Sequence, residues 1–175
     1  VSANTSNGDI SLSGASGEVS ANTSNGDVEF DGVSGTITIS TSTGSVEGTS
    51  LSGRVAVGTS TGNVNITNLA VQGLSSFTSS TGNIDVRLSD GSEYDLSLAT
   101  ETGTATLNHD GSPVAGRFVF TANVDDGLIA SPFPFDDEAE LALGGTRAQR
   151  KSFTRGESTP SVTIRTASGI AQLWE

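Results

Sequence analysis

At 175 residues, with 22 glycines and 33% hydrophobic residues, the chain is long enough for one domain with its own core, glycine making up much of the apolar shortfall. A formal charge of −12 excludes nucleic acid and anionic membrane surfaces as partners, since both repel an acidic protein. No stretch is apolar enough for direct membrane insertion, and the absence of cysteine leaves the redox compartment unread.

The chain opens inside a repeat. Gly8, Gly26, Gly44 and Gly62 recur at 18-residue intervals, and Gly82 and Gly103 continue the series at slightly longer ones. A second series, Gly17, Gly35 and Gly53, has the same interval and is offset by nine residues. Each glycine introduces a short strand. Apolar residues stand two and four places after it, as in Ile10 and Leu12, Val19 and Ala21, Val28 and Phe30, Ile37 and Ile39. Polar residues alternate with them, so one side faces a core and the other faces water. Gly48 takes one of the inward places and predicts a thin spot in that core.

The corners repeat as well. Thr-Ser-Asn-Gly or Thr-Ser-Thr-Gly precedes the first strand of a coil, where glycine suits an unusual backbone angle and its polar neighbours bond locally. Ala15, Val33 and Leu51 mark the opposite corner and are expected to tuck inward. Stacked coils align equivalent side chains into ladders. Thr5, Thr23, Thr41, Thr59, Ser79 and Thr100 form one predicted surface ladder. Asp9, Asp27, Glu29, Glu47 and Asp85 read as an acidic solvent face. Over residues 1–107 the pattern predicts an all-β fold, a single-stack parallel β-solenoid of ~18-residue two-strand coils, about 29 Å tall. A β-sandwich uses similar strand spacing, but it does not need the same residue type at the same phase of every strand.

From 108 to 175 the repeat loosens, and this region is expected to form enlarged, irregular terminal coils and a cap of the same domain. Asn108–Pro113 is a turn cluster, so His109 reads as an exposed loop residue. Arg117–Thr121 reads as a strand with bulkier side chains than those before it. Ser131–Phe135 is extended, because Pro132 and Pro134 bar a helix interior and a central ladder. Asp136–Leu143 fits either a short helix or a strand, and Ser161–Gly169 returns to the phase of the repeat. An open solenoid end exposes a sheet edge and core, so it needs covering. Phe118, Phe120, Phe133, Phe135 and Trp174 are the predicted cap, with an aromatic sugar-binding shelf as the functional alternative.

With these Ser/Thr-x-x-Gly-Asp/Asn-Val/Ile repeats and the closing run Pro160-Ser161-Val162-Thr163-Ile164-Arg165-Thr166-Ala167-Ser168-Gly169-Ile170, the chain resembles adhesin-type families of bacteria and archaea. These are the DUF4097 type, related to the head-GIN adhesin domain. The resemblance covers nearly the whole chain and implies a β-solenoid of an envelope or secreted protein. Its motifs are structural, so it carries over no functional residues.

A calcium β-roll needs a doubled glycine with Asp two places after Gly. Here Asp9 and Asp27 directly follow Gly, and Ser45, Asn63 and Asn83 take the equivalent places, so neither a metal nor another cofactor is expected. The acidic face reads as solvated rather than as a loose Ca²⁺ site. A carbohydrate-active enzyme needs a positioned acid and base. Lys151 is the only lysine and His109 the only histidine, and no Ser-His-Asp or phosphate-loop motif occurs, so catalysis is not expected. Asn4-Thr5-Ser6, Asn22-Thr23-Ser24 and Asn65-Ile66-Thr67 match the short N-glycosylation pattern.

The sequence therefore reads as a non-enzymatic, adhesin-like module of the cell surface or of a secreted protein. Its expected partners are further copies stacked end to end into an extracellular filament, or a cell-surface glycan or protein. A ligand-binding solenoid for ice or glycan is the alternative, and a carbohydrate-active enzyme the last reading. Because Val1 falls within a repeat, an export signal or anchor is expected upstream of it, with the domain outside the cell or in its envelope.

Overall fold

In the computed structural model, which describes residues 1–143 and 146–175, the chain is a β-solenoid. Among the described residues no helix is long and apolar enough to cross a membrane. Six consecutive coils are built from β1 (Ser2–Asn7) with β2 (Ile10–Ser13), β3 (Ser16–Asn25) with β4 (Val28–Asp31), β5 (Ser34–Thr43) with β6 (Val46–Thr49), β7 (Ser52–Thr61) with β8 (Val64–Val71), β9 (Ser75–Thr81) with β10 (Ile84–Leu88), and β11 (Leu96–Thr102) with β12 (Ala105–Asn108). The first strands stack in parallel into a broad sheet, and the second strands stack into a narrower one facing it. Register is kept level by level: Val28 lies beside Val46, Val46 beside Val64, and Val64 beside Ile84. Inward residues of both sheets make one core, with Val19, Ile37, Val55, Ile66 and Leu98 fully buried.

The two halves of a coil are less alike than the glycine spacing predicts. β3, β5 and β7 each have 10 residues, whereas β2, β4 and β6 each have 4. Half of the difference is the Thr-Ser-Asn or Thr-Ser-Thr segment, which continues the long strand instead of forming the corner, and the other half is the Ser-Gly-x run that opens it. Alternation carries straight on from Ile37 and Ile39 to Thr41, so the threonine points inward. Its hydroxyl then reaches the coil before it. Thr23 donates to the Gly8 carbonyl oxygen at 3.2 Å, Thr41 to Gly26 at 3.2 Å, Thr59 to Gly44 at 3.1 Å, Ser79 to Gly62 at 3.0 Å and Thr100 to Gly82 at 2.9 Å.

The turn itself is only two residues, the glycine and the one after it, as in Gly26 and Asp27. Gly26, Gly44, Gly62, Gly82 and Gly103 have φ between 137° and 154°, a region L side chains rarely adopt. A Cβ added at any of them would also overlap the carbonyl oxygen of the equivalent glycine one coil earlier. The expected thin spot at Gly48 is not there. A Cβ at Gly48 would lie 2.8 Å from Ile66 Cδ1 and 2.8 Å from Leu51 Cδ1, so larger neighbours already fill the place.

The C-terminal region changes the topology. β13 (Gly116–Asn123) and β14 (Gly127–Ala130) form a further coil, but it does not sit on the sixth. The last strand, β17 (Ser161–Trp174), is slotted between them. β17 pairs in parallel with β11 and β12 on one side and with β13 and β14 on the other. β16 (Thr146–Arg155) then pairs antiparallel with β13, and β15 (Asp137–Leu143) pairs antiparallel with β16. Asp136–Leu143 is thus almost wholly strand, and Ser161–Gly169 is an inner level of the stack rather than its terminal coil. Thr166 and Gly169 repeat the corner contact, with Thr166 donating to the Gly103 carbonyl oxygen at 2.8 Å.

The corner geometry yields a paired expectation. Gly44→Ala should destabilise the domain by about 2–4 kcal/mol, from left-handed backbone strain plus the carbonyl overlap. Thr41→Val keeps the shape and removes one buried hydrogen bond, costing about 1 kcal/mol. Urea unfolding followed by circular dichroism measures both; equal effects would refute the steric role of the glycine.

Candidate functional site

The predicted threonine ladder is real but lies inside. Thr23, Thr41, Thr59, Ser79 and Thr100 are all buried, and Thr5 is half-buried. They are not a surface, because each hydroxyl is turned to the glycine carbonyl of the coil before it. Thr5, in the first coil, bonds to the Asn7 carbonyl oxygen at 2.9 Å instead.

The residues that do face water on the broad sheet are the alternate set. One column runs Ser20, Thr38, Ala56, Ser76, and the next runs Asn4, Asn22, Ser40, Gly58, Thr78. Some of these columns bond along themselves. Asn22 Nδ2 donates to Asn4 Oδ1 at 3.0 Å, and Asn25 Nδ2 to Asn7 Oδ1 at 3.0 Å. From Ser2 to Ser80 this face is almost free of charge, with Glu18 and Arg54 at its entry corner. A shallow depression lies further along the same face, lined by Thr78, Ser80, Ala99, Glu101 and Arg165.

The narrow sheet and the turns leading into it carry the predicted acidic residues, and these divide by role. Asp9 Oδ1 accepts the Asp27 N–H at 2.9 Å, and Asp27 Oδ1 accepts the Ser45 N–H at 2.7 Å. Asn63 Oδ1 accepts the Asn83 N–H at 2.9 Å, and Asn83 Oδ1 accepts the Thr104 N–H at 2.9 Å. This column needs a short side chain ending in an acceptor oxygen, and it does not need a charge. Glu29 and Glu47 are different. They are register neighbours on β4 and β6, exposed, beside Asp9 and Asp27 in one open groove. Asp85 stands apart, separated from Glu47 by Asn65. The residue is exposed, but partial desolvation among its neighbours pushes its carboxyl above the ordinary value of 3.8, and the Arg87 guanidinium partly opposes this. Among the described residues no group of three or more His, Cys, Asp or Glu is placed to hold a metal ion.

Four of the five predicted cap residues come together. Phe118 and Phe120 are fully buried, and Phe133 and Phe135 are half-buried against them. Their hub is Phe153, stacked on Phe118 with centroids 4.9 Å apart and tilted against Phe133 at 5.4 Å. Sequence reasoning passed over Phe153 because it lies on an antiparallel strand outside the repeat. Trp174 does not join the cap. It is 56% exposed at the end of β17, one level below the cluster, where alternation turns its side chain outward. A sugar-binding shelf needs open ring faces, and the innermost rings have none. Lys151 and Arg155 lie over Phe135 and Phe133 at 5.3 and 4.1 Å, covering the outer ones.

His109 corrects another expectation. It is 2% exposed, because the turn folds its ring under β13 against Phe118, with centroids 5.9 Å apart.

Two expected outcomes test the acidic column. Parallel neighbours Glu29 and Glu47 repel, so Glu47→Gln should raise stability by a few tenths of a kcal/mol at low salt, about 0.3, and by less at high salt. Asp85 binds its proton more tightly folded than unfolded. Its contribution is therefore complete below pH 3.8 and is lost as pH rises through its folded value. Asp85→Asn should remove that slope from melting curves recorded across the acid range. An unchanged slope would count against the assignment.

Compared with known proteins, residues 1–113 match a family model described as Toastrack DUF4097. The match thus spans the six consecutive coils and stops at the turn after His109. No curated protein and no solved structure matches the chain.

Proposed function

The chain belongs to the Toastrack DUF4097 family, and on that premise we propose that it is a non-enzymatic, adhesin-like module working outside the cell or in its envelope. The observation that carries the reading is the broad outward face, whose columns of Ser, Thr and Asn repeat at the coil spacing of about 4.8 Å and bear almost no charge. Such a face offers hydrogen-bond donors and acceptors in fixed rows on a rigid support. That chemistry suits a neutral, hydroxyl-rich partner such as a surface glycan, for which little desolvation of charge is required. The acidic narrow face suits a neutral partner less well, because contact there would desolvate charge.

End-to-end stacking gains no support from the capped end. Its edge strand β15 carries Asp137, Glu138 and Glu140, and charges on an edge discourage strand addition. Ion pairs tie that strand to β16 instead, with Lys151–Glu138 at 2.9 Å and Arg150–Asp137 at 3.6 Å.

Binding of labelled protein to an array of neutral and acidic glycans tests the proposal. Thr38→Glu and Ser40→Glu place charge in the middle of the broad face and should cut binding about tenfold or more, whereas Glu47→Gln on the other face should leave it unchanged. Absence of binding to any glycan sinks the ligand class; release of shortened sugars sinks the non-enzymatic reading. Thermal hysteresis in the same preparation would move the partner from glycan to ice.

A further inference from the structure

His109 sits where three stretches of chain meet. It closes the sixth coil directly after β12. Its backbone N–H donates to the Trp174 carbonyl oxygen of β17 at 3.0 Å, and its carbonyl accepts the Ser112 N–H at 2.9 Å. Its ring lies against Phe118 of β13, tilted by 56°. Neither Nδ1 nor Nε2 finds a hydrogen-bond partner, although both are buried. A neutral ring tolerates such a site because it packs as an aromatic. An imidazolium does not, because a buried charge without a partner is far more costly.

The charged groups on the surrounding segments do not relieve this. Asp110 follows His109 in the turn, Glu175 follows Trp174, and Arg117 adjoins Phe118 with its own side chain on the exposed side of β13. Asp90, Glu93 and Asp95 lie in the loop whose Gly91 approaches the Pro113 carbonyl. None of them is a hydrogen-bond partner of the ring. Burial comes first and holds it below the ordinary value of 6.5; the Pro113 carbonyl, nearby but without good hydrogen-bond geometry, partly opposes.

What the ring holds together follows from the topology. β13 and β14 pair with β17 and not with β11 or β12. The β13–β16 cap is therefore joined to the six coils through one inserted strand, and His109 touches both that strand and the cap. We propose that His109 is an acid-sensitive latch: protonation of its ring loosens the seam between the six-coil stack and the inserted strand with its cap, while the coils themselves stay folded. The detached ring takes up a proton near pH 6.5 and the seated ring only at lower pH. The closed seam is thus at full strength above pH 6.5, weakens as pH falls below it, and levels off beneath the seated ring's own value. Most carboxylates remain ionised at about pH 5, so the window belongs to histidine.

Hydrogen exchange of the whole chain at about pH 7.5 and about pH 5, corrected for intrinsic rates, reads the latch. Amides of β13, β16 and β17 should exchange about tenfold faster at the lower pH, with β3 to β8 unchanged, and His109→Phe should abolish the difference. The ring's own proton resonances in the unaltered protein should titrate with a midpoint below 6.5. A midpoint at or above that value overturns the proposal whether or not the variant folds. So does an equal acid response in His109→Phe, or acceleration spread evenly over every strand.

Discussion

The rod depends on one contact repeated at the same corner of successive coils. The carbonyl oxygen of a glycine in one coil points at the glycine of the next, so no side chain can occupy that place. The same oxygen accepts a hydroxyl proton from an inward threonine or serine of that next coil, from Thr23 through to Thr166. Steric exclusion sets how closely coils approach, and the hydroxyl satisfies an acceptor that would otherwise be buried with capacity to spare. Both requirements fall on the same few atoms. That is why the corner tolerates Ser for Thr but always keeps its glycine.

Much of the fold was legible because in-register parallel stacking repeats sequence phase as spatial position. Val28, Val46 and Val64 align in the structure as they do in the repeat. The direction of the threonines was legible too, but only by continuing the alternation Ile37, Ile39, Thr41 past the point where residues become polar. Treating polarity as a sign of the surface put the ladder on the wrong side. The level taken by β17 was not readable, since its phase fits any coil; the choice is made by what else must be covered, namely Leu96, Leu98 and Leu107 below and Phe118 and Phe120 above. Phe153 and the burial of His109 come from antiparallel pairing and chain reversal, which leave no periodic trace.

The two outward faces show how a repeat separates structural need from surface chemistry. In the column from Asp9 to Asn83 the backbone asks only for an acceptor oxygen, so Asp, Ser and Asn interchange there and the charge is free to vary. Glu29 and Glu47 make no such bond among the described residues, and their charge is purely a property of the surface. The broad face has the opposite character, small and neutral. One backbone thus carries two surfaces of different chemistry without either disturbing the core.

The placement of β17 also orders events during synthesis. From the second coil to the sixth, each can dock on its predecessor as soon as it leaves the ribosome, since its partner is already present. The seventh level cannot. Ser161 bonds across 66 residues to Asp95, and Gln172 across 66 to Thr106. Until those late residues emerge, the upper rim of β11 and β12 stands finished on one side and bare on the other. A nascent chain therefore carries a parallel-competent rim until that long ring closure is made.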